Sequence, residues 1–533
     1  MDVTQAYAIA AGCGLFCLLL FRTRHLMKSL LKTVELRTSQ FLIYPQLVRR
    51  HRYLGPWSWA GLLVPAGYIA VNMFCVGFKA SSLRVASLRA ADLALINLIP
   101  AFASLHLNFP ADVLGLTLKT YRRFHRVLGA MSCCLLAFHV FTSLASRTPF
   151  PLDQMENLWG LIGASSVGLL FLLSTPFLRR LFYEVYLRIH QLLAVLLMYS
   201  IWQHLRLKLW PEQFHPPQLY VYISVWTFLV LSLLQFGAII YRNWPVRSAY
   251  SRAYISHVDD TVKIRLKLSR HLRVEPGQYI SLWMPTMSFW SFLQSHPFTV
   301  TSWAEGKQDS LDLLIEPRGG FTQRLLLNSK AARKAGGRLQ PRLALFTGPY
   351  GTSASVNRYE TVVMVASGFG IAGQLPYLKK LIYGYNTCTT RTRRVHLVWQ
   401  LETIDIGIAA QSYLNDALTD DLLDDGNILG ISIYIKIGKL DSASWGRRAV
   451  WYNGSADLRA ILQDEMSGKY INRMQGEERG SMLVIASATD EMRDNLREIV
   501  RGHLKDKVRL LELEYQPVTS ESVASKATEK SWR

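Results

Sequence analysis

The sequence predicts a bundle of seven membrane-spanning helices, followed by an antiparallel β-barrel and then a parallel α/β domain. Three observations carry this expectation. Half of the 533 residues are hydrophobic and only 18% are charged, against about 25% charged in ordinary soluble domains. The charge is also unevenly placed: residues 1–241 hold 8 of the 38 acidic and 21 of the 60 basic residues, and residues 242–533 hold the other 30 and 39. Finally, apolar runs are long before Tyr241 and short and alternating after it. The same composition excludes a disordered chain, a collagen and a disulfide scaffold.

Charge-free windows place the spans at 3–21, 53–78, 93–111, 127–146, 157–178, 189–205 and 213–241, each near or above the ~20 apolar residues that cross a bilayer. The first window lacks a basic leader and an A-x-A-like cleavage site, so it reads as a retained span. The loop between the first two spans carries Arg22, Arg24, Lys28, Lys32, Arg37, Arg49, Arg50 and Arg52. Further loops on that side carry Lys119, Arg122, Arg123 and Arg126, then Arg179, Arg180 and Arg188. Lys and Arg concentrate on the cytosolic side, which puts the N-terminus outside and the C-terminal half in the cytosol. The net charge of +22 is explained by these flanks, so no nucleic-acid partner is expected. Cys13, Cys17, Cys75, Cys133 and Cys134 lie in apolar stretches and Cys388 in the soluble part; no CxxC pair suggests zinc.

Four histidines stand out. His125 and His139 are fourteen residues apart on the fourth span, and so are His190 and His204 on the sixth. Fourteen helical residues turn through about 1400°, within ~40° of whole turns, so each pair shares one face, separated by about 21 Å along the axis. The two spans enter from the same side. His125 is therefore expected to face His190 near the cytosol, and His139 to face His204 near the outer surface. Two facing imidazoles at each level make two bis-histidine haem sites stacked across the membrane. His106 on the third span reads as a packing residue.

After Asn243 the pattern shortens. Alternation in Val262–Leu268 and Tyr279–Trp283, with Gly and Pro between, predicts strands of a small barrel. Apolar strands at Thr361–Ala366, Val395–Trp399, Ile431–Ile437 and Met482–Ile485, separated by helix-like stretches, predict a parallel sheet. The expected boundaries are 1–241 for the membrane domain, 245–355 for the barrel and 358–516 for the α/β domain, with a polar tail at 517–533. Asn453-Gly454-Ser455 is a sequon expected to go unused in the cytosol.

These motifs resemble the ferric reductase family of fungi, membrane flavocytochromes related to NADPH oxidases. Glu275-Pro276-Gly277-Gln278-Tyr279 is similar to the family's entry to its flavin domain, and His296-Pro297-Phe298-Thr299 to its HPFT flavin motif. Arg318-Gly319-Gly320-Phe321-Thr322 resembles the turn that approaches the FAD pyrophosphate, where amides and Arg neutralise charge. Gly348-Pro349-Tyr350-Gly351 looks like the GPYG segment at the flavin–nicotinamide junction. Gly368, Gly370 and Gly373, in the turn after Thr361–Val365, are where the resemblance seats the nicotinamide dinucleotide pyrophosphate on a helix N-terminus. Two departures stand out. Ile485-Ala486-Ser487-Ala488 replaces the family's Cys-Gly-Pro, and Gln400-Leu401-Glu402 lacks its basic 2′-phosphate residue, leaving Arg391, Arg393 and Arg394 as local candidates.

The resemblance implies one FAD, two b-type haems and NADPH as donor, in a plasma-membrane reductase of ferric or cupric chelates serving iron uptake. No catalytic residue is expected beyond the electron-transfer chain. Ferroxidase or permease partners are not identified by the sequence. With both axial positions filled by His, acceptors would be reduced at the haem edge without a metal pocket; Asp153, Glu212 and His215 on outer loops are the only candidates for attracting metal. Two rivals stay open: a superoxide-generating NADPH oxidase, and a redox-inactive transporter or scaffold. Thirteen residues between the histidines of both pairs favour metal reduction over the oxidase.

Overall fold

The structure, a computed structural model, describes residues 3–21, 34, 37–48, 50, 56–146, 150–175, 177–178, 183–208, 215–245, 250–287, 291, 295–318, 320–334, 341–422, 427–437 and 448–517. Arg22, Arg24, Lys28, Lys32, Arg49, Arg52, Arg179, Arg180, Glu212, Gly319 and nearly all of the polar tail lie outside these residues. The chain divides into two units, Met1–Gly237 and Ala238–Arg533.

The first unit is helical: α1 (Val3–Phe21), a short β1–β2 hairpin (Gln46–Val48 and Trp57–Ser58), α2 (Trp59–Gly77), α3 (Leu83–Ala101), α4 (Asn108–Val113), α5 (Leu118–Ala145), α6 (Met155–Leu173), α7 (Tyr183–Lys208) and α8 (Pro216–Asn243). Among the described residues, five helices are long and apolar enough to cross a membrane: α2, α5, α6, α7 and α8. Of the seven expected, the apolar stretch of α1 is shorter, at Val3–Cys17, and α3 carries Arg84, Arg89 and Asp92.

The third span is the largest correction. The window 93–111 is replaced by α3, which begins ten residues earlier, and by the separate short α4. Charge-free sequence begins only after Asp92, whereas the helix starts where the Ser82 side chain accepts from the Val85 N–H at 3.3 Å. His106 consequently lies in the turn between α3 and α4, its N–H donating to Ser104 Oγ at 3.2 Å. By the same logic Lys119, Arg122, Arg123 and Arg126 stand on the first turns of α5 rather than in a loop, because long cationic side chains let a helix run on past the hydrocarbon.

Small residues bring the helices together, as membrane packing requires. Ala90 and Ala94 of α3 are fully buried beside Leu93, in one cluster with Met131 and Leu135 of α5. Val167 and Leu170 of α6 cluster with Leu197 of α7. Polar ties add to this: Tyr7 of α1 donates to Asn97 of α3 at 3.0 Å, and Asn97 donates to Asn72 of α2 at 2.8 Å.

The second unit begins with the end of α8 and has two parts. Strands β3 (Arg252–Val258), β4 (Thr261–Leu272), β5 (Tyr279–Trp283), β6 (His296–Thr299), β7 (Gln308–Ile315), β8 (Arg342–Leu343) and β9 (Leu345–Tyr350) pair antiparallel, with α9 (Gly320–Lys334) between β7 and β8. They form a four-stranded sheet, β7-β4-β3-β8, and a three-stranded one, β6-β5-β9. Alternation in β4 buries Val262, Ile264, Leu266 and Leu268 in the shared core.

The second part is a six-stranded parallel sheet of order β13-β12-β11-β10-β14-β15. Its strands are β10 (Thr361–Ser367), β11 (Arg394–Leu401), β12 (Leu429–Ile435), β13 (Ala449–Asn453), β14 (Met482–Ser487) and β15 (Val508–Glu512). The helices are α10 (Ile371–Asn386), α11 (Asp405–Asp420), α12 (Leu458–Ser467) and α13 (Asp490–Gly502). All seven residues of β10 are buried, as a central parallel strand covered on both faces must be. The edge strands β13 and β15 were not among the expected ones; half-exposed and mixed in composition, they lack the continuous apolar run that marks the centre.

Candidate functional site

In the membrane unit, His125 and His139 both lie on α5, and His190 and His204 on α7. All four are half-buried. The rings of His125 and His190 face each other with centroids 6.1 Å apart at 64°. Their Nδ1 atoms are both buried without a hydrogen bond, an arrangement a folded protein rarely leaves unsatisfied. A metal held between two imidazole nitrogens, each about 2 Å from it, separates the ring centroids by roughly 6 Å, so an iron held between His125 and His190 would fit this spacing.

His139 and His204 are held differently. His139 Nδ1 lies 3.1 Å from Ser87 Oγ and 3.2 Å from the Ser87 carbonyl. His204 Nδ1 lies 2.8 Å from the Glu156 carbonyl. A carbonyl only accepts, so Nδ1 carries the proton in each and Nε2 keeps its lone pair, the tautomer of a metal ligand oriented by its surroundings. Gly160 leaves the room His204 needs: a Cβ there would stand 3.1 Å from His204 Nδ1. Ser87, Glu156 and Gly160 had no sequence signal, because they act through contacts 44 to 52 residues away. No three His, Cys, Asp or Glu side chains converge on a metal site among the described residues; Glu212, expected beside Asp153 and His215, lies outside them.

In the barrel, His296 stacks on Phe321 at the start of α9, with centroids 4.6 Å apart at 12°. Phe298 lies 6.4 Å from the same ring. Pro297 and Thr299 complete β6, paired with Ser281 and Tyr279 of β5. His296 Nε2 and Trp283 Nε1 are buried without hydrogen bonds, and burial pushes the His296 imidazole below its ordinary value. These unsatisfied atoms fit a polar ring system such as flavin. The Arg318 N–H donates to Thr322 Oγ1 at 3.0 Å, and its guanidinium pairs with Glu316 at 2.6 Å. Thr322 thus ties Arg318 to the first turn of α9, where Gly320 adopts φ +53°.

Gly348 and Gly351 adopt φ +106° and +97°, backbone that favours glycine. Tyr350 between them is 5% exposed, with its ring 5.9 Å from that of Tyr279.

In the α/β part, Gly368–Gly370 form a single 3₁₀ turn between β10 and α10. The three glycines have separate tasks. Gly368, at φ +47°, has open space around it, and its carbonyl accepts from Trp399 Nε1 at 2.9 Å. Gly370 lies against β14: a Cβ would stand 1.8 Å from the Ser487 carbonyl oxygen. Gly373 packs on Leu513 and Ser487. Only Gly368 is thus open to a ligand; the others press the helix start onto the sheet, where strand carboxyl ends bind dinucleotides. Gln374, fully buried, ties β10 to β14 by donating to the Val365 and Ile485 carbonyls at 3.0 Å each. Without Cys-Gly-Pro the neighbouring turn still closes, Ser487 Oγ donating to the Tyr515 carbonyl at 2.9 Å and the Thr489 N–H to Ser367 Oγ at 2.8 Å.

The arginines proposed for a 2′-phosphate are misplaced. Arg391, Arg393 and Arg394 precede or begin β11, at the amino ends of the strands and opposite the glycine turn. Arg393 is paired with Glu477 and the Asn472 carbonyl, and Arg394 with Glu465 at 3.0 Å. At the carboxyl edge stands Glu402, paired with Lys436 at 3.0 Å. One further cluster, Ser432–His396–Glu465 at 2.8 Å per step, has the residue types of a hydrolytic triad. Ser432 lies mid-strand and buried, and Arg394 neutralises Glu465, so the cluster binds α12 to the sheet.

Three families match in tandem: "Ferric reductase like transmembrane component" at residues 90–201, "FAD-binding domain" at 247–354 and "Ferric reductase NAD binding domain" at 359–436. Among relatives, Ferric reductase transmembrane component 3 of Saccharomyces cerevisiae is 29% identical over 310 residues, 56% of this chain and 40% of that protein. Ferric/cupric reductase transmembrane component 2 of the same yeast is 27% identical over 56% of this chain and 40% of its own length. Probable cell surface ferric reductase kap2 of Aspergillus oryzae is 26% identical, covering 59% and 44%. The matched part therefore spans less than half of each relative. The chain is thus similar to fungal ferric reductase transmembrane components over part of their length, and it matches a transmembrane, an FAD-binding and an NAD-binding family in that order.

Proposed function

We propose that the chain passes electrons from NADPH, by way of FAD and two b-type haems, to ferric or cupric chelates on the opposite face of the plasma membrane, for iron uptake. In this reading seven helices span the membrane, α1 and α3 included, with the N-terminus outside and the C-terminal unit cytosolic. The observation that carries it is the His125–His190 pair, with ring centroids 6.1 Å apart and both Nδ1 atoms unsatisfied, and with His139 and His204 fourteen residues further along the same two helices. FAD, when bound, accepts a hydride and releases its two electrons singly.

The chain's own residues supply the rest. His125 and His190 would hold the inner haem, and His139 and His204 the outer. His296, Pro297, Phe298, Thr299, Tyr350 and the Gly348 and Gly351 turns would frame the flavin, with Arg318, Gly319, Gly320 and Thr322 at its phosphates. Gly368 would receive the nicotinamide dinucleotide, with Gly370 and Gly373 fixing the helix beneath it. NADPH is preferred only modestly over NADH, since Lys436 at the carboxyl edge is already paired with Glu402.

The test compares His204→Leu with His125→Leu in purified full-length protein, carrying two haems per FAD and reconstituted into sealed vesicles. His204→Leu is expected to keep NADPH-driven reduction of the flavin and inner haem while reduction of an impermeant external ferric chelate collapses. His125→Leu is expected to stop electrons at the flavin. Wild-type external reduction in His204→Leu, a haem-to-flavin ratio near one, or oxygen uptake that outruns Fe²⁺ formation would overturn the reading.

A further inference from the structure

The helix that follows the glycine turn is fastened to the flavin-side barrel along one face. Tyr377 of α10 is 1% exposed, and its hydroxyl accepts from the Ala354 N–H at 3.2 Å. That hydroxyl lies so close to Gly277 that a Cβ there would be 2.6 Å away. Three residues on, Lys380 donates to Glu275 at 2.7 Å. A further turn on, Tyr383 meets Trp303 edge-on, with centroids 5.6 Å apart. Positions spaced by three share a helix face, so all three contacts lie on the side of α10 that meets the barrel.

The barrel's half of this contact is a built turn. The Glu275 N–H donates to Gln278 Oε1 at 2.8 Å, and Gln278 Nε2 donates to the Gly351 carbonyl at 3.3 Å. Gly277 adopts φ +89°, so both its backbone and the pressure of Tyr377 call for glycine. Through Gln278 the turn also touches Gly351, the last residue of the GPYG segment. One side of the contact thus belongs to the helix that follows the glycine turn, and the other reaches Gly351 of the GPYG segment.

We propose that Tyr377 and Lys380 are positioning residues for hydride transfer: they lock α10, and the glycine turn before it, to the Glu275–Gln278 turn, and so set how closely nicotinamide approaches flavin. This rests on the proposed NADPH-to-FAD step. In that step one hydride leaves the nicotinamide with both its electrons and is taken whole by the flavin, so no further reactant is consumed. Lys380 and Tyr377 touch neither partner; they act through the helix.

The experiment uses purified full-length protein carrying Lys380→Gln, Lys380→Arg, Tyr377→Phe or the exchanged pair Glu275→Lys with Lys380→Glu. Three quantities are read: the stopped-flow rate of flavin reduction at saturating NADPH, the dissociation constant of NADP⁺ by protein fluorescence, and amide exchange of residues 275–279 and 352–357 without nucleotide. Lys380→Gln is expected to slow flavin reduction about tenfold with the dissociation constant within about twofold, since a small misplacement costs rate rather than affinity. Exchange in both segments is expected to rise in Lys380→Gln and Tyr377→Phe, to return to wild type in Lys380→Arg, and to return in part in the exchanged pair, where a lysine at position 275 stands beside Arg273. Unchanged rate and exchange in Lys380→Gln would overturn the proposal, as would an affinity loss as large as the rate loss, which would put Lys380 on the nucleotide. If NADPH fails to reduce even the wild-type flavin, the proposed function falls, and amide exchange, which needs no turnover, still decides whether the lock exists.

Discussion

Replacing Gly370 by Ala places a methyl group against the backbone of the neighbouring strand. The new Cβ would stand 1.8 Å from the Ser487 oxygen and 2.8 Å from its carbonyl carbon, where contacts under 3.0 Å are essentially never seen. Relief requires a shift of about 1.2 Å in either the start of α10 or the 487–489 turn. The turn is not free to retreat. Ser487 Oγ donates to the Tyr515 carbonyl at 2.9 Å, the Ala488 N–H to Gln516 Oε1 at 2.9 Å, and the Thr489 N–H to Ser367 Oγ at 2.8 Å. At about 1 kcal/mol each, opening the turn costs about 3 kcal/mol, the upper end of ordinary overpacking. A domain stable by about 5–15 kcal/mol survives that, so the variant folds with the helix start displaced. A displacement of about 1 Å in a positioning element lowers rate by up to about 100-fold. In purified full-length Gly370→Ala, extracted FAD is expected to match wild type, while stopped-flow flavin reduction by NADPH falls by about that factor. Gly368→Ala, with open space but φ +47°, meets only about 1–2 kcal/mol of backbone strain and is expected to lose less. Wild-type flavin reduction in Gly370→Ala would refute the argument that close helix–strand packing at this residue places the nucleotide.

Three further outcomes are expected. Gly160→Val drives a branched side chain into His204, whose Nδ1 a Cβ would already meet at 3.1 Å; pyridine haemochrome analysis should show about half the haem lost, with FAD retained. Asn243→Ala removes a buried carboxamide that donates to the Phe346 carbonyl at 2.8 Å and accepts from its N–H at 3.0 Å. Leaving both backbone groups unpaired costs about 2–4 kcal/mol, read as a lower Tm of the C-terminal unit. For Glu275, burial works to raise the carboxyl, but the hydrogen bonds and charges of Lys380 and Arg273 outweigh it and hold it below its ordinary value. A depressed folded value stabilises above the ordinary carboxylate range and is lost as pH falls through the folded value. The Tm difference between wild type and Glu275→Gln should therefore be full at pH 7 and vanish in acid; a difference that grows on acidification would contradict the sign.

What depends on neighbours along the chain was legible in the sequence. Apolar length announced the five helices long enough to cross a membrane and the placing of His125 with His139 and of His190 with His204 on single helices, and alternation the β4 and β5 strands. Short motifs placed His296, Gly348 and Gly368 at turns and strand ends because glycine, proline and strand alternation are local constraints. Tertiary structure alone decided the rest. Charge-free sequence begins only after Asp92, whereas α3 begins at Leu83 behind its Ser82 cap and packs Ala90, Leu93 and Ala94 in one cluster with α5. Arg393 and Arg394 read as a basic turn open to phosphate until Glu477 and Glu465, 84 and 71 residues away, neutralised them. Gly370 read as a phosphate glycine, but its lack of a side chain is required by a carbonyl 117 residues further along. The rings of His139 and His204 were visible, but the Ser87 and Glu156 carbonyls that orient them were not. A hydrogen bond or a clash is decided by atoms a few ångströms apart in space, and sequence separation carries almost no information about which atoms those are.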